Sequence, residues 1–335
     1  MSQANPVVVT GATGFLGRHV ARLLAQGGTP VAVPVRNPEK LPAQLQGNSL
    51  VRTYRCDLAS ADDIAALMQT LRPRAVIHCA AYGVDHGQQD AVMAVRVNVD
   101  GTLLLHQGAA RYGADRFIHV GTGYEYGSSD TPFAEDAPLR PSGIYGASKA
   151  SATLMLRSVR HTSPMHVVLA RPFGMFGEGE GLHKLVPQVV QACLTGVPLQ
   201  LTEGLEIRDY VPVSDVARAL VAMATMPSDD VRALDEVNLC SGEARTVRSV
   251  AEEIATSLDG LRHLQFGALP SRPSNMMRVV GNPARWRNFC LTHGMHGLAQ
   301  ASSWIPAIMA LRDNIAGVLQ SPGASTVSSG TGRLA

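Results

Sequence analysis

The chain carries almost no excess charge: 29 Lys and Arg stand against 27 Asp and Glu, a formal +2 at pH 7. Its basic residues are spread out instead of clustered, so there is no electrostatic case for nucleic acid or a charged membrane surface as a partner. Cysteine is scarce too. The five thiols, Cys56, Cys79, Cys193, Cys240 and Cys290, are far apart and odd in number, which suits reduced core residues and speaks against a disulfide framework or a zinc site. His293 and His296 share a helical face but lack further ligands nearby, so they are expected at the surface and no metal is implied. No apolar run approaches the length of a membrane span, and Met1 to Pro6 has no basic leader before the first apolar strand. A cytoplasmic protein is expected. The length of 335 residues allows one large α/β domain with an elaborated second lobe.

Tyr145 and Lys149, in the stretch YGASK, stand four residues apart. On a helix these positions share a face, so Lys149 is placed to lower the pKa of the Tyr145 hydroxyl and make it an acid/base group near neutrality. The plain alternative is a half-buried tyrosine beside a lysine whose stem lies along the surface. What decides between them is whether the chain supplies a cofactor, a third catalytic group and a substrate pocket.

The cofactor signal comes first in the chain. Val7 to Thr10 is an apolar, β-branched strand; Gly11, Gly14 and Gly17 follow it, and Arg18 to Gln26 reads as a helix. Strand, glycine turn and helix in this order make a pyrophosphate cradle: Gly11 for the tight turn, Gly14 for backbone approach, Gly17 for helix–strand packing. The second strand, Val31 to Val35, ends in Arg36 where a carboxylate would bind the ribose diol of NAD. An arginine there accommodates the extra phosphate of NADP, so NADP(H) is favoured and NAD(H) stays possible. Asp57, after strand Val51 to Cys56, is placed to accept from the adenine amino group. The fourth strand begins at Ala75 and ends in the small residues Ala80 and Ala81; its His78 reads as a satisfied core histidine.

A helix is expected over about Ala61 to Leu71, and a long one across Asn98. Strand Arg116 to Val120 leads to Thr122, and strand His166 to Arg171 follows the Tyr145 helix. Strands alternating with helices over 7–171 predict a doubly wound parallel sheet of the Rossmann type, with a ligand crevice at the strand ends where Thr122 and Tyr145 converge. Beyond it come the glycine-rich stretch Gly174 to Gly181, a helix over Val186 to Leu194, and a helix whose start Ser214 or Asp215 is expected to cap. A strand at Glu236 to Leu239, a helix over Val247 to Leu258 and a last helix over about Ser302 to Leu319 complete the pattern. Residues 321–335 lack apolar periodicity and are expected to be a disordered tail.

TGATGFLG at Thr10–Gly17, HCAA at His78–Ala81, NVDGT at Asn98–Thr102, YGASK at Tyr145–Lys149, RPFGMFGEG at Arg171–Gly179 and RDYVPVSDVA at Arg208–Ala217 occur in order. Together they resemble the extended short-chain dehydrogenase/reductase family, in its nucleotide-sugar epimerase/dehydratase branch, over about residues 6–320. The resemblance implies a cofactor domain at 1–171 with a return at about 211–240. It implies a smaller, mostly C-terminal substrate lobe at 172–210 and 241–320. Thr13, Phe15, Leu16, Leu58, Ala80 and Ala81 join the glycines, Tyr145 and Lys149 at the cofactor. Thr122 is then the hydrogen-bonding partner of the reacting oxygen, Tyr145 the acid/base, and Lys149 the holder of the nicotinamide ribose. Arg208 and Arg272 sit where relatives grip the diphosphate, with Tyr124 and Lys184 as further substrate contacts. A nucleotide diphosphate sugar and a homodimer are the implied partners.

Departures from the family narrow the reaction. Its 4,6-dehydratases carry Asp-Glu directly after the threonine, where this chain has Gly123 and Tyr124. Relatives that epimerise at two sites place Cys and His at the positions of Tyr124 and Lys184. Reduction of an NDP-4-keto-6-deoxyhexose is the expected activity, with C4 epimerisation of an NDP-sugar as the runner-up. A reductase of other ketones and a non-catalytic NADP(H)-sensing regulator are the remaining alternatives.

Overall fold

The computed structural model describes residues 5–84, 87–270 and 276–320. The tail expected to be disordered at 321–335 and the loop carrying Arg272 lie outside the described residues. Apolar β-branched runs make the strands β1 (Val7–Thr10), β2 (Val31–Val35), β3 (Val51–Arg55), β4 (Ala75–His78), β5 (Arg116–Val120) and β6 (His166–Pro172). Between them run α1 (Phe15–Gln26), α2 (Ala61–Leu71), α3 (Ala91–Val95), α4 (Gly101–Arg111) and α5 (Gly143–Val159). The chain continues through β7 (Gly174–Phe176), α6 (Leu185–Thr195), β8 (Leu199–Gln200), β9 (Ile207–Arg208), β10 (Tyr210–Pro212), α7 (Val213–Thr225), α8 (Ser228–Val231) and β11 (Glu236–Leu239). It ends in β12 (Arg245–Thr246), α9 (Val247–Ser257), β13 (Leu264–Gln265), β14 (Arg278–Val279), α10 (Ala284–Thr292) and α11 (Trp304–Gln320).

Seven strands form one sheet in the order β3-β2-β1-β4-β5-β6-β11, every neighbouring pair parallel. Alternation along each strand fills two cores. Val7, Val9, Ile77 and Ile118 face α1 and α7, whereas Val8, Val76 and Phe117 face α2 and α4. Because both faces are covered, the strands read as nearly unbroken apolar runs. A third core of Val186, Val189, Val190, Ile254, Ile308 and Leu311 joins α6, α9 and α11 away from the sheet. Strand order reverses between β1 and β4, which opens a crevice at their carboxyl ends. Thr10 pairs with His78 and His78 with His119, so the loops after β1, β4 and β5 emerge side by side.

Two elements differ from the sequence reading. The helix across Asn98 is interrupted by a π-helical turn at Arg96–Asp100. Neither Ser214 nor Asp215 caps α7: it follows directly from β10 with Pro212 at the cap position, a residue with no side-chain acceptor to offer. Asp215 instead accepts from the Arg218 guanidinium and the Ser302 amide, each at 2.7 Å.

Candidate active site

Gly11 sits at φ +70°, and a Cβ on it would lie 2.7 Å from the Ala80 nitrogen. The turn after β1 therefore closes on the end of β4 only because the residue has no side chain. Gly14 precedes α1 in extended backbone with no side-chain capping bond, so the first amides of that helix stay available at its positive end. Arg18 braces this turn from below, donating to the carbonyls of Thr13 at 3.2 Å and Gly14 at 3.0 Å. Leu16 and Gly17 are buried and Phe15 half-buried against the α1 side of the sheet. The Ala80 amide donates to Thr10 Oγ1 at 3.1 Å, and Ala81 next to it is half-buried. At the far end of the crevice Arg36 is exposed, one residue past β2. Asp57 is exposed as well, its Oδ1 accepting from the Ala59 amide at 3.0 Å, with Leu58 half-buried beside it.

Thr122 follows β5 as the first residue of a capping box. Its amide donates to Glu125 Oε1 at 2.8 Å, while its Oγ1 accepts from the Tyr124 amide at 3.3 Å. Glu125 is fully buried and is held in turn by Arg171 Nε, 2.9 Å from its Oε2. Across the crevice Gly143, at φ +76°, opens α5, which carries Tyr145 and Lys149 one turn apart. Thr122 hydrogen-bonds the Tyr145 hydroxyl, and Gly83 packs on the same ring, a Cβ there lying 3.4 Å from Tyr145 Cβ.

Asn98, in the π turn, ties these pieces together. Its Oδ1 accepts from the Tyr82 amide at 2.8 Å, and its Nδ2 donates to the Tyr82 carbonyl at 2.9 Å and Ser148 Oγ at 2.8 Å. Ser148 Oγ donates to the Tyr145 carbonyl at 3.0 Å. His78 is a core histidine as the sequence suggested, bonded to Thr10 Oγ1 at 2.7 Å and Thr102 Oγ1 at 2.9 Å.

Lys149 is 1% exposed, and its Nζ has no hydrogen-bond partner among the described residues. Burial pushes it down to about 8, against the pull of Glu125 and Cys79. Burial also pushes the Tyr145 phenol above its ordinary value, with Glu125 adding to the rise and the Thr122 bond offsetting part of it. The sequence reading had Lys149 lowering the phenol. Here exclusion of water from the phenol outweighs any such pull. An orphaned ammonium at the crevice and a glycine cradle at a helix start both fit a nicotinamide dinucleotide. The cradle suits its pyrophosphate, and Lys149 its ribose hydroxyls.

Of the other substrate contacts, Tyr124 is exposed and lies within electrostatic reach of Tyr145 and Tyr210. Arg208 is half-buried near Tyr210, with Nη1 donating to the carbonyls of Ile207 at 2.9 Å and Met277 at 3.3 Å. Lys184 precedes α6 and donates to the Val84 carbonyl at 3.1 Å. Arg272 lies outside the described residues. Sequence reasoning missed Glu125, Tyr210 and the role of Asn98. The Thr122-x-x-Glu125 spacing was a readable capping signal; the other two carry none. Among the described residues no group of three or more His, Cys, Asp or Glu is placed to hold a metal, and no helix is long and apolar enough to cross a membrane.

A doubly wound sheet with tyrosine and lysine on one helix at its switch point defines the short-chain dehydrogenase/reductase class, enzymes that work through a nicotinamide dinucleotide. Within that class, the chain belongs to the NAD dependent epimerase/dehydratase family, whose model matches residues 7–240. It is 34% identical over 232 residues to dTDP-glucose 4,6-dehydratase of Streptomyces griseus, covering 65% of this chain and 69% of that one. The crystal structure of UDP-glucose 4-epimerase from Thermus thermophilus in complex with NAD superposes with a TM-score of 0.78 at 26% identity, over 93% of this chain and 99% of that one. The NAD-bound dTDP-glucose 4,6-dehydratase from Streptomyces venezuelae does so at 0.80 and 25% identity, over 94% and 98%.

Proposed function

We propose that the protein reduces the keto group of an NDP-4-keto-6-deoxyhexose. The observation that carries this reading is the arrangement around Thr122: a proton donor and its hydrogen-bonding neighbour are in place, while the residue after Thr122 has no room for a carboxylate. A Cβ on Gly123 would meet the Phe173 ring at 2.8 Å, and Tyr124 stands where a dehydratase carries its second acid. Similarity to 4,6-dehydratases therefore extends to the scaffold and the hydride-transfer groups but not to water elimination.

When bound, the nicotinamide supplies the hydride that reaches the carbonyl carbon. The chain's own residues handle the oxygen. Tyr145, kept protonated by its burial, donates its proton to the developing alkoxide, and Thr122 hydrogen-bonds that oxygen from a position fixed by Glu125. Donors already in place matter because charge gathers on the oxygen only in the transition state. Lys149, as an ammonium, holds ribose hydroxyls and stabilises the phenolate that Tyr145 becomes. Arg208 and Lys184 stand on the substrate side, where a diphosphate needs cations. Residues of the sheet with α7 and β11 serve the cofactor, and those around α6, α9 and α11 the substrate. Replacing Tyr145 by Phe is expected to leave cofactor binding intact and to cut kcat by about two or more orders of magnitude; turnover within threefold of the parent enzyme rules the assignment out.

A second reading, NDP-sugar 4-epimerase, is favoured by the likeness to UDP-glucose 4-epimerase. It uses the same groups in both directions. Stoichiometric loss of reduced-nicotinamide absorbance accompanies net reduction and is absent from net epimerisation. For the cofactor, the neighbouring structures weigh towards NAD(H), since those above hold NAD. NADP(H) rests on Arg36, with no carboxylate in β2 (VAVPV) to bind a ribose diol. Fluorescence titration with NADH and NADPH decides, and weaker NADPH binding by Arg36→Ala, with NADH unchanged, identifies Arg36 as the phosphate contact.

A further inference from the structure

Glu180 lies in the glycine-rich stretch between β7 and α6, and the mechanism above gives it no part. Gly177 at φ +142° and Gly179 at φ +81° bend this stretch onto the start of α1. A Cβ on Gly179 would lie 2.7 Å from Arg18 Nη1, and His19 Nε2 donates to the Glu178 carbonyl at 2.8 Å. Glu180 is thereby turned inward. Its carboxyl takes one hydrogen bond from the Gly177 backbone, while Oε2 is buried with no partner among the described residues. A buried acceptor left this way is costly unless something binds it.

The surroundings show where that oxygen lies. Glu180 is within electrostatic reach of Tyr210, Tyr210 of Tyr124, and Tyr124 of Tyr145. In the other direction Lys184, also within reach of Glu180, donates to the Val84 carbonyl, and the adjacent Gly83 packs on the Tyr145 ring. Through Lys184 and Val84, the segment that carries Glu180 borders the cleft of the Tyr145 phenol. A free carboxyl oxygen there needs an O–H or N–H donor. Diphosphate oxygens only accept, whereas a hexose ring presents hydroxyls. We infer that Glu180 is a specificity-determining residue whose free Oε2 accepts a hydrogen bond from a hydroxyl of the bound sugar; this rests on the nucleotide-sugar reading above.

The test is calorimetric titration of the cofactor-loaded enzyme with dTDP-glucose and UDP-glucose, each compared with free dTDP and UDP. The parent enzyme is expected to gain affinity from the sugar. Glu180→Leu is expected to lose about tenfold of that gain and to bind the free nucleotides and the cofactor as before, and Glu180→Gln to keep most of it. Should Glu180→Leu not fold, judged by loss of cofactor binding, Glu180→Ala carries the same comparison. An undiminished sugar increment in a folded variant overturns the inference, as does equal weakening towards the free nucleotides, which places Glu180 at the base or phosphates. If the parent enzyme gains nothing from the sugar on either nucleotide, the nucleotide-sugar reading itself falls and this inference with it.

Discussion

At the residue scale, Lys149 carries a charge whose cost and use lie in the same place. It is the orphaned cation at the crevice, facing Glu125, Cys79, His78 and His119, and burial brings its pKa down to about 8. Below that pH it is an ammonium able to donate to ribose hydroxyls; above it, it becomes an amine. An exposed lysine holds its proton to about 10.4. Cofactor affinity is therefore expected to be flat at neutral pH and to weaken, by up to about tenfold per pH unit, as pH rises past 8. Titrating reduced nicotinamide dinucleotide across pH by fluorescence checks this, and Lys149→Met should bind more weakly with no such dependence. An alkaline limb near 10 in the parent enzyme contradicts it.

Between elements, a buried ion-pair network fixes the catalytic loop to the sheet. Arg171 on β6 donates to Glu125 after β5, to Tyr126 Oη and to Glu236 on β11, each at 2.9 Å. Arg157 on α5 and Arg160 at its C-terminal cap close it from the helix side through Glu236. Removing Arg171 leaves Glu125 buried and uncompensated beneath Thr122. Arg171→Met is expected to cost about 3–5 kcal/mol, the usual result of breaking a buried pair from one side. Adding Glu125→Gln should recover part of that loss; urea denaturation of both variants measures it, and strictly additive losses rule out the pairing. This network also marks a limit of the sequence. β1, the glycine turn and α1 are legible there because strand, turn and helix signals sit within one short stretch. So is the Thr122, Tyr145 and Lys149 set, because ordered motifs mark it. Arg171 and Glu125 are 46 residues apart, and nothing local says they meet. The π turn at Arg96–Asp100 keeps an ordinary helical composition, and Glu180 owes its burial to a backbone bend, so neither was legible.

At the scale of the whole molecule, an apolar face on α3 and α5 has no cover among the described residues. Val92 and Val95 on α3 are 68% and 49% exposed, and Leu154 and Met155 on α5 are 53% and 43% exposed, while α3 packs directly against α5. Val92 and Val95 are three residues apart on one helical face, and Leu154 continues the outer face of the helix that carries Tyr145 and Lys149 inward. A face built from two neighbouring helices is self-complementary when two copies meet about a two-fold axis, each α3 and α5 covering its counterpart. We propose that the protein is such a homodimer, and that pairing stiffens α5 from behind the catalytic pair. Light scattering on the eluted protein is expected to give twice the chain mass of 35.5 kDa. Leu154→Arg combined with Val92→Arg should halve that mass and leave cofactor binding measurable, because both side chains point away from the crevice. A parent protein that elutes as a monomer, or a charged variant that stays dimeric, places the interface elsewhere. Pairing through this face would then give α5 no added support, and kcat should not change on dilution.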